Sequence, residues 1–183
     1  CEATLIATLG FSTYGGMSGR DLGFASQGLR EVVDPAYLRS RAEDAAFLAG
    51  LLAEAGVDIV QPSGLHALYL NAGRLLPHLS PQQFPGHALA MQLYLDGGIR
   101  SAELGSLYLG TLDEQHNLVT PAPYELVRLA LPRRVYTRAH LQYVAEVLAN
   151  IAKDPSRVPG YRITSAPALL RHFKCRVEPV KAT

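Results

Sequence analysis

Arg128 stands inside the apolar run Leu126-Val127-Arg128-Leu129-Ala130-Leu131. A guanidinium there is costly unless it meets a carboxylate or a phosphate. Strand alternation places Leu126, Arg128 and Ala130 on one face and Val127, Leu129 and Leu131 on the other. Facing a cleft, such a side chain could grip a substrate carboxylate with two parallel hydrogen bonds. On an edge strand, or in a structural ion pair, it would have no such role, and spacing alone leaves both readings open. The second candidate is Arg171-His172-Phe173, which follows Pro167-Ala168-Leu169-Leu170. A histidine between a cation and an aromatic ring could shuttle a proton or donate a hydrogen bond. A histidine with its bonds already satisfied is the plainer alternative.

Other chemistries find less support. The histidines His66, His78, His87, His116, His140 and His172 never stand four residues apart, and neither Cys1 nor Cys175 lies beside one. The short-range ligand pairs usual in zinc sites are therefore missing, and no metal site is expected. Gly15-Gly16-Met17-Ser18-Gly19 contains a serine but not the Gly-x-Ser-x-Gly frame of a nucleophile elbow. It could cradle a phosphate at a helix start; a tight turn is the simpler reading.

These residues need a scaffold, and the composition allows one. The chain has 183 residues, 48% hydrophobic and 18% charged, with mean hydropathy +0.07. That describes a chain with a substantial core rather than a disordered one. A net charge of +1 gives no field for a nucleic-acid partner. No apolar run reaches the roughly 18 residues that cross a bilayer, and no charged-then-apolar leader opens the chain. A soluble, cytoplasmic protein with reduced thiols and no membrane partner is expected. The opening Cys1-Glu2-Ala3-Thr4-Leu5-Ile6 has no methionine and is already apolar, which points to a cut inside a longer polypeptide.

Local signals order the elements. Residues 2–9 fit a helix tail or a short strand, 10–19 a loop, and a helix restarts near Asp21 with Leu22, Ala25 and Leu29 on one face. Asp34-Pro35 caps a long helix carrying Leu38, Ala42, Ala45, Leu48, Leu52 and Ala55, stopped by Gly56. Segments 57–60 and 67–70 read as an antiparallel pair, and 86–96 as a helix closed by Gly97-Gly98. Strands are predicted over 99–109 and 125–131, around a polar, hairpin-like stretch at 110–123. Thr137 caps a helix bearing Leu141, Val144, Val147, Leu148 and Ile151, and final strands are predicted at 161–164 and 173–177. The order predicts an α/β class with α+β character: a small mixed sheet with helices packed on one face, a lobe suited to half of a cleft.

Five segments carry a family resemblance. Phe11-Ser-Thr-Tyr-Gly-Gly-Met, Phe84-Pro-Gly-His-Ala-Leu-Ala, Gly98-Ile-Arg-Ser-Ala-Glu-Leu-Gly-Ser, Leu126-Val-Arg-Leu-Ala-Leu-Pro-Arg-Arg-Val-Tyr-Thr and Leu170-Arg-His-Phe resemble, in order, the C-terminal part of the β-eliminating lyases. These are tryptophanase and tyrosine phenol-lyase. The resemblance implies the aspartate-aminotransferase-like fold and pyridoxal phosphate chemistry. The reaction implied is cleavage of an aromatic amino acid to pyruvate, ammonia and indole or phenol. It further implies potassium and a homotetramer. Residues 1–33 would then end the large cofactor domain, 34–56 form the linking helix, and 57–183 make up the small C-terminal domain.

By the same resemblance, Arg128 matches the arginine that grips the α-carboxylate, and His172 with Phe173 the pair that closes over the side chain. Leu104 occupies the position where tyrosine phenol-lyases keep an arginine, so it and His172 favour tryptophan over tyrosine. Two departures are Leu65, where the family has glycine, and Asn71, where it has aspartate; they keep tyrosine or another amino acid open as substrate. A Schiff-base enzyme needs an activated lysine, and Lys153, Lys174 and Lys181 lie in no matching motif. The resemblance implies that the Schiff-base lysine and the other catalytic and cofactor-binding residues lie upstream of the region matching Cys1. The alternative from another class is a cofactor-free remnant used as a binding or interaction module.

Overall fold

Thr137 starts a helix much as its sequence foretells. Its N–H donates to His140 Nδ1 at 3.2 Å, its hydroxyl lies 2.9 Å from the same atom, and α-helix runs from Arg138 to Lys153. The computed structural model describes residues 2–8, 10, 17–167 and 171–180, grouped as two compact units, Cys1–Ala42 and Glu43–Thr183.

The first unit holds α1 (Glu2–Thr8), α2 (Gly19–Val32) and the start of α3 (Pro35–Glu54). Residues 2–8, open between helix and strand on sequence grounds, are helical. Ser18 caps α2 by accepting the Asp21 N–H at 3.1 Å, so its hydroxyl serves the backbone rather than acting as a nucleophile. Residues 11–16 of the glycine-rich stretch lie outside the described residues. Asp34 caps α3 through the Tyr37 N–H at 2.9 Å. No residue of α2 is buried, and Leu22, Phe24 and Leu29 are exposed.

The second unit begins within α3, whose later turns bury Ala45, Leu48 and Leu52. There follow β1 (Ala67–Asn71), α4 (Ala72–Leu75), α5 (Pro85–Gly97), β2 (Ala102–Leu104), α6 (Ser106–Leu109), β3 (Thr111–Leu112) and β4 (Leu118–Thr120). The chain finishes with β5 (Leu126–Ala130), α7 (Arg138–Lys153), β6 (Tyr161–Ser165), α8 (Arg171–Lys174) and β7 (Arg176–Pro179). Gly98, at φ 62°, ends α5 in the left-handed conformation that the Gly97-Gly98 pair predicts.

The principal sheet has three strands in the order β1-β5-β2. Its core face joins Leu68, Leu70, Val127 and Leu129 to Leu48, Leu52, Leu89, Leu93, Leu148 and Ile151 from α3, α5 and α7. Burying each such side chain contributes about 1.5–3 kcal/mol, so this face fixes the sheet against the helices.

Four expectations need correction. All pairings among the described strands are antiparallel, in three small sheets, where a mixed sheet was expected. Segment 57–60 is not a full strand, although it does meet β1 antiparallel, through the Ile59–Leu70 bridge. The strand predicted over 99–109 shortens to Ala102–Leu104 and turns into α6. The strand predicted over 173–177 begins only at Arg176, Phe173 belonging to the helical turn α8. The 110–123 stretch does form a hairpin, β3 with β4. Asn71 bridges two elements, accepting the Arg74 N–H at 3.2 Å and donating to Asp58 at 3.0 Å. An aspartate there would set two carboxylates together.

Candidate active site

The alternation predicted for β5 is what the fold shows: Val127 and Leu129 are buried, whereas Arg128 and Ala130 are exposed on the opposite face. Tyr69 and Ala102 flank Arg128 across the ladder, so the arginine stands on the central strand and not on an edge. No acid pairs with it among the described residues. The edge-strand account of this residue therefore falls away. Its guanidinium opens into a cleft of about 750 Å³, to which Glu103, Leu107, His172 and Phe173 also contribute.

His172 lies between two rings, Tyr108 at 4.0 Å and Phe173 at 3.9 Å between centroids. It makes no hydrogen bond among the described residues, which leaves its ring nitrogens for a ligand. Leu104 is not brought to this cleft: it is half-buried in β2, paired with Leu126. Arg128, His172 and Phe173 thus meet in one place, and Leu104 stands beside it.

In the cleft, and in the buried layer behind it, lie groups that the sequence did not single out; Glu103 lines the cleft and Glu125 does not. Glu125, only 7% exposed, accepts the Gly86 N–H at 3.2 Å, the Ser106 N–H at 3.0 Å and the Ser106 hydroxyl. Glu103 accepts the Gly105 N–H at 2.6 Å. Burial pushes the Glu103 carboxyl up to about 7, the bond from Gly105 opposing it and the neighbouring Glu125 charge adding to it. Gly105 is required between the two acids, since a Cβ there would lie 2.2 Å from Glu125 Oε2 and 2.8 Å from Glu103 Oε1. These carboxylates gather the N–H groups of the turn after β2, which is why the chain coils into α6 at Ser106 instead of continuing as strand. His87 lines the same cleft with Nε2 buried and unpartnered, and its burial lowers the imidazole pKa. Ser101 Oγ is likewise buried without a partner. A charged residue inside a short strand, the signal that marked Arg128, would also have marked Glu103.

No family model matches the chain. Curated relatives do. It is 44% identical over 174 residues to the tryptophanase of Hyphomonas neptunium, covering 95% of this chain and 38% of that protein. It is 45% identical over 175 residues to the tryptophanase of Salinibacter ruber, covering 96% and 37%. The tyrosine phenol-lyase of Pasteurella multocida is 41% identical over 179 residues, covering 98% and 39%. The chain belongs with the tryptophanases and tyrosine phenol-lyases. It spans little more than a third of the length of these relatives. Membership of this lyase family brings pyridoxal phosphate into view, and the described residues do not by themselves fit it. Lys153 ends α7 and donates to Asn150 at 3.0 Å, Lys174 is exposed on α8, and neither lines the cleft. Lys181 lies outside the described residues. Among the described residues no three His, Cys, Asp or Glu side chains gather as a metal site, and no helix is long and apolar enough to cross a membrane.

Proposed function

We propose that this chain is the C-terminal, substrate-holding part of a β-eliminating lyase that cleaves tryptophan to indole, pyruvate and ammonia. One observation carries the reading: a guanidinium on the central strand, paired with no acid among the described residues, lines the cleft that holds His172 and Phe173. Arg128 grips the α-carboxylate with both arms of its fork and so fixes the orientation of Cα. His172 and Phe173 meet the aromatic side chain, with Met91, Ile99 and Leu107 supplying apolar wall. Leu104 acts from beside the cleft, through its neighbours.

Pyridoxal phosphate and potassium are held, in this reading, by parts of the enzyme other than the residues described here, and the assembled enzyme is a cytoplasmic homotetramer. Residues 1–33 end the large domain, 34–56 link, and 57–183 form the small domain. The exposed apolar residues Leu22, Phe24 and Leu29 of α2 support that assignment, since nothing in the described chain buries them. Tyrosine is the second reading: the unpartnered Ser101 hydroxyl could receive a phenolic O–H in the same cleft.

The test is pyruvate release by the full-length protein, supplied with pyridoxal phosphate and offered tryptophan or tyrosine. Tryptophan is expected to be the better substrate. Pyruvate from tyrosine alone would favour the second reading, and none from either would remove the lyase assignment and leave a binding module.

A further inference from the structure

The helical turn that presents His172 and Phe173 is fastened from the side by one residue, Arg171. Its Nε donates to Leu107 O at 2.9 Å, and its Nη2 donates to Gly110 O at 2.6 Å and Tyr108 O at 3.3 Å. These carbonyls close α6, a four-residue turn whose last acceptors have no partners within it. The other end of α6 is held by Glu125 through the Ser106 N–H and hydroxyl. A turn this short does not hold its shape unaided; carboxylates fix its N–H end and a guanidinium its C=O end. Tyr108, on that turn, supports the His172 ring at 4.0 Å.

We infer that Arg171 is the positioning residue for the aromatic end of the substrate: by locking α8 onto α6 it sets where His172 and Phe173 stand relative to Arg128. This rests on the function proposed above. A planar fork collecting three carbonyls in fixed directions suits arginine, and the single ammonium of lysine can satisfy only part of the set. The carboxylate anchor on β5 is held separately, by strand pairing, so losing Arg171 disturbs one end of the substrate and spares the other.

The experiment compares wild-type enzyme with Arg171→Gln and Arg171→Lys in two measurements. In hydrogen exchange, Arg171→Gln should speed exchange at 106–110 and 171–175 and leave α7 unchanged. In steady-state kinetics on the holoenzyme, Arg171→Gln should lower kcat/KM for tryptophan roughly 10- to 100-fold. An alanine with a small leaving group on Cβ, such as β-chloroalanine, should change less than about threefold, because it makes no use of the aromatic end. Arg171→Lys should fall between. Equal losses on both substrates would assign Arg171 a merely structural role and overturn the inference. Unchanged exchange at 106–110 and 171–175 would overturn it too, whatever the kinetics. A wild-type enzyme inactive on both substrates would instead defeat the proposed function, with the exchange data still deciding whether Arg171 fastens the turn.

Discussion

Replacing Glu103 with glutamine should flatten the dependence of stability on pH above the ordinary carboxylate range. The folded protein holds the Glu103 proton up to about pH 7, against 4.5 for an ordinary glutamate, chiefly because the carboxyl is buried. The raised value sets the sign. Between these pH values the folded state keeps a proton that the unfolded chain has released, so the contribution is complete below 4.5 and is lost as pH rises through 7. Each tenfold in proton affinity is worth about 1.4 kcal/mol, so about 3 kcal/mol is lost between pH 5 and pH 8. His87 acts in the opposite sense: burial lowers its value, so the fold gains stability as pH rises towards 6.5. That contribution is common to both proteins and cancels in their difference. Urea titrations of wild type and Glu103→Gln at pH 5, 6.5 and 8 measure that difference directly. Wild type should lose about 3 kcal/mol more than the variant across the range. Curves that run parallel to within about 0.5 kcal/mol would refute the assignment of a neutral, buried Glu103.

Two further outcomes follow from the same geometry. Gly105→Ala forces a methyl group against both carboxylates, 2.2 Å from Glu125 Oε2, and should cost about 3 kcal/mol, seen as a fall in Tm of about 6–12 °C by circular dichroism. Arg128→Lys keeps the charge but loses the fork; on an exposed residue without an acid partner it should leave Tm within about 1 °C, while kcat/KM of the holoenzyme for tryptophan falls about 100-fold.

Whatever depends on near neighbours was legible in the sequence. Asp34 and Thr137 cap the helices they precede, Gly98 ends α5, and the alternation through 126–131 foretells which way Arg128 faces. The missed features depend on groups far along the chain. Nothing between 99 and 109 announces that Glu125, nineteen residues beyond Ser106, will seize its N–H and hydroxyl and turn the strand into a helix. In the same way 173–177 reads as strand because its hydrophobic pattern is local. The carbonyls that hold Arg171, and with it the helical turn bearing Phe173, are more than sixty residues upstream. Glu103 carries the signal that marked Arg128, a charge inside a strand, but its burial beside Glu125 depends on groups far along the chain. Leu104 shows the converse: the resemblance marks its position as decisive, yet it pairs with Leu126, two residues along β5 from Arg128, and does not line the cleft.

The ladder on either side of Arg128 has an engineering consequence. With Tyr69 and Ala102 bonded across from it, the backbone beneath the guanidinium has no freedom to drift, so changes in surrounding loops reach the anchor only weakly. In the proposed function the residues that face the departing group, His172 and Phe173, ride on a four-residue turn. On that proposal, recognition of an amino acid as such and choice among its side chains are separable design variables in this scaffold. A library confined to the short turns could explore new leaving groups and keep its grip on the carboxylate throughout.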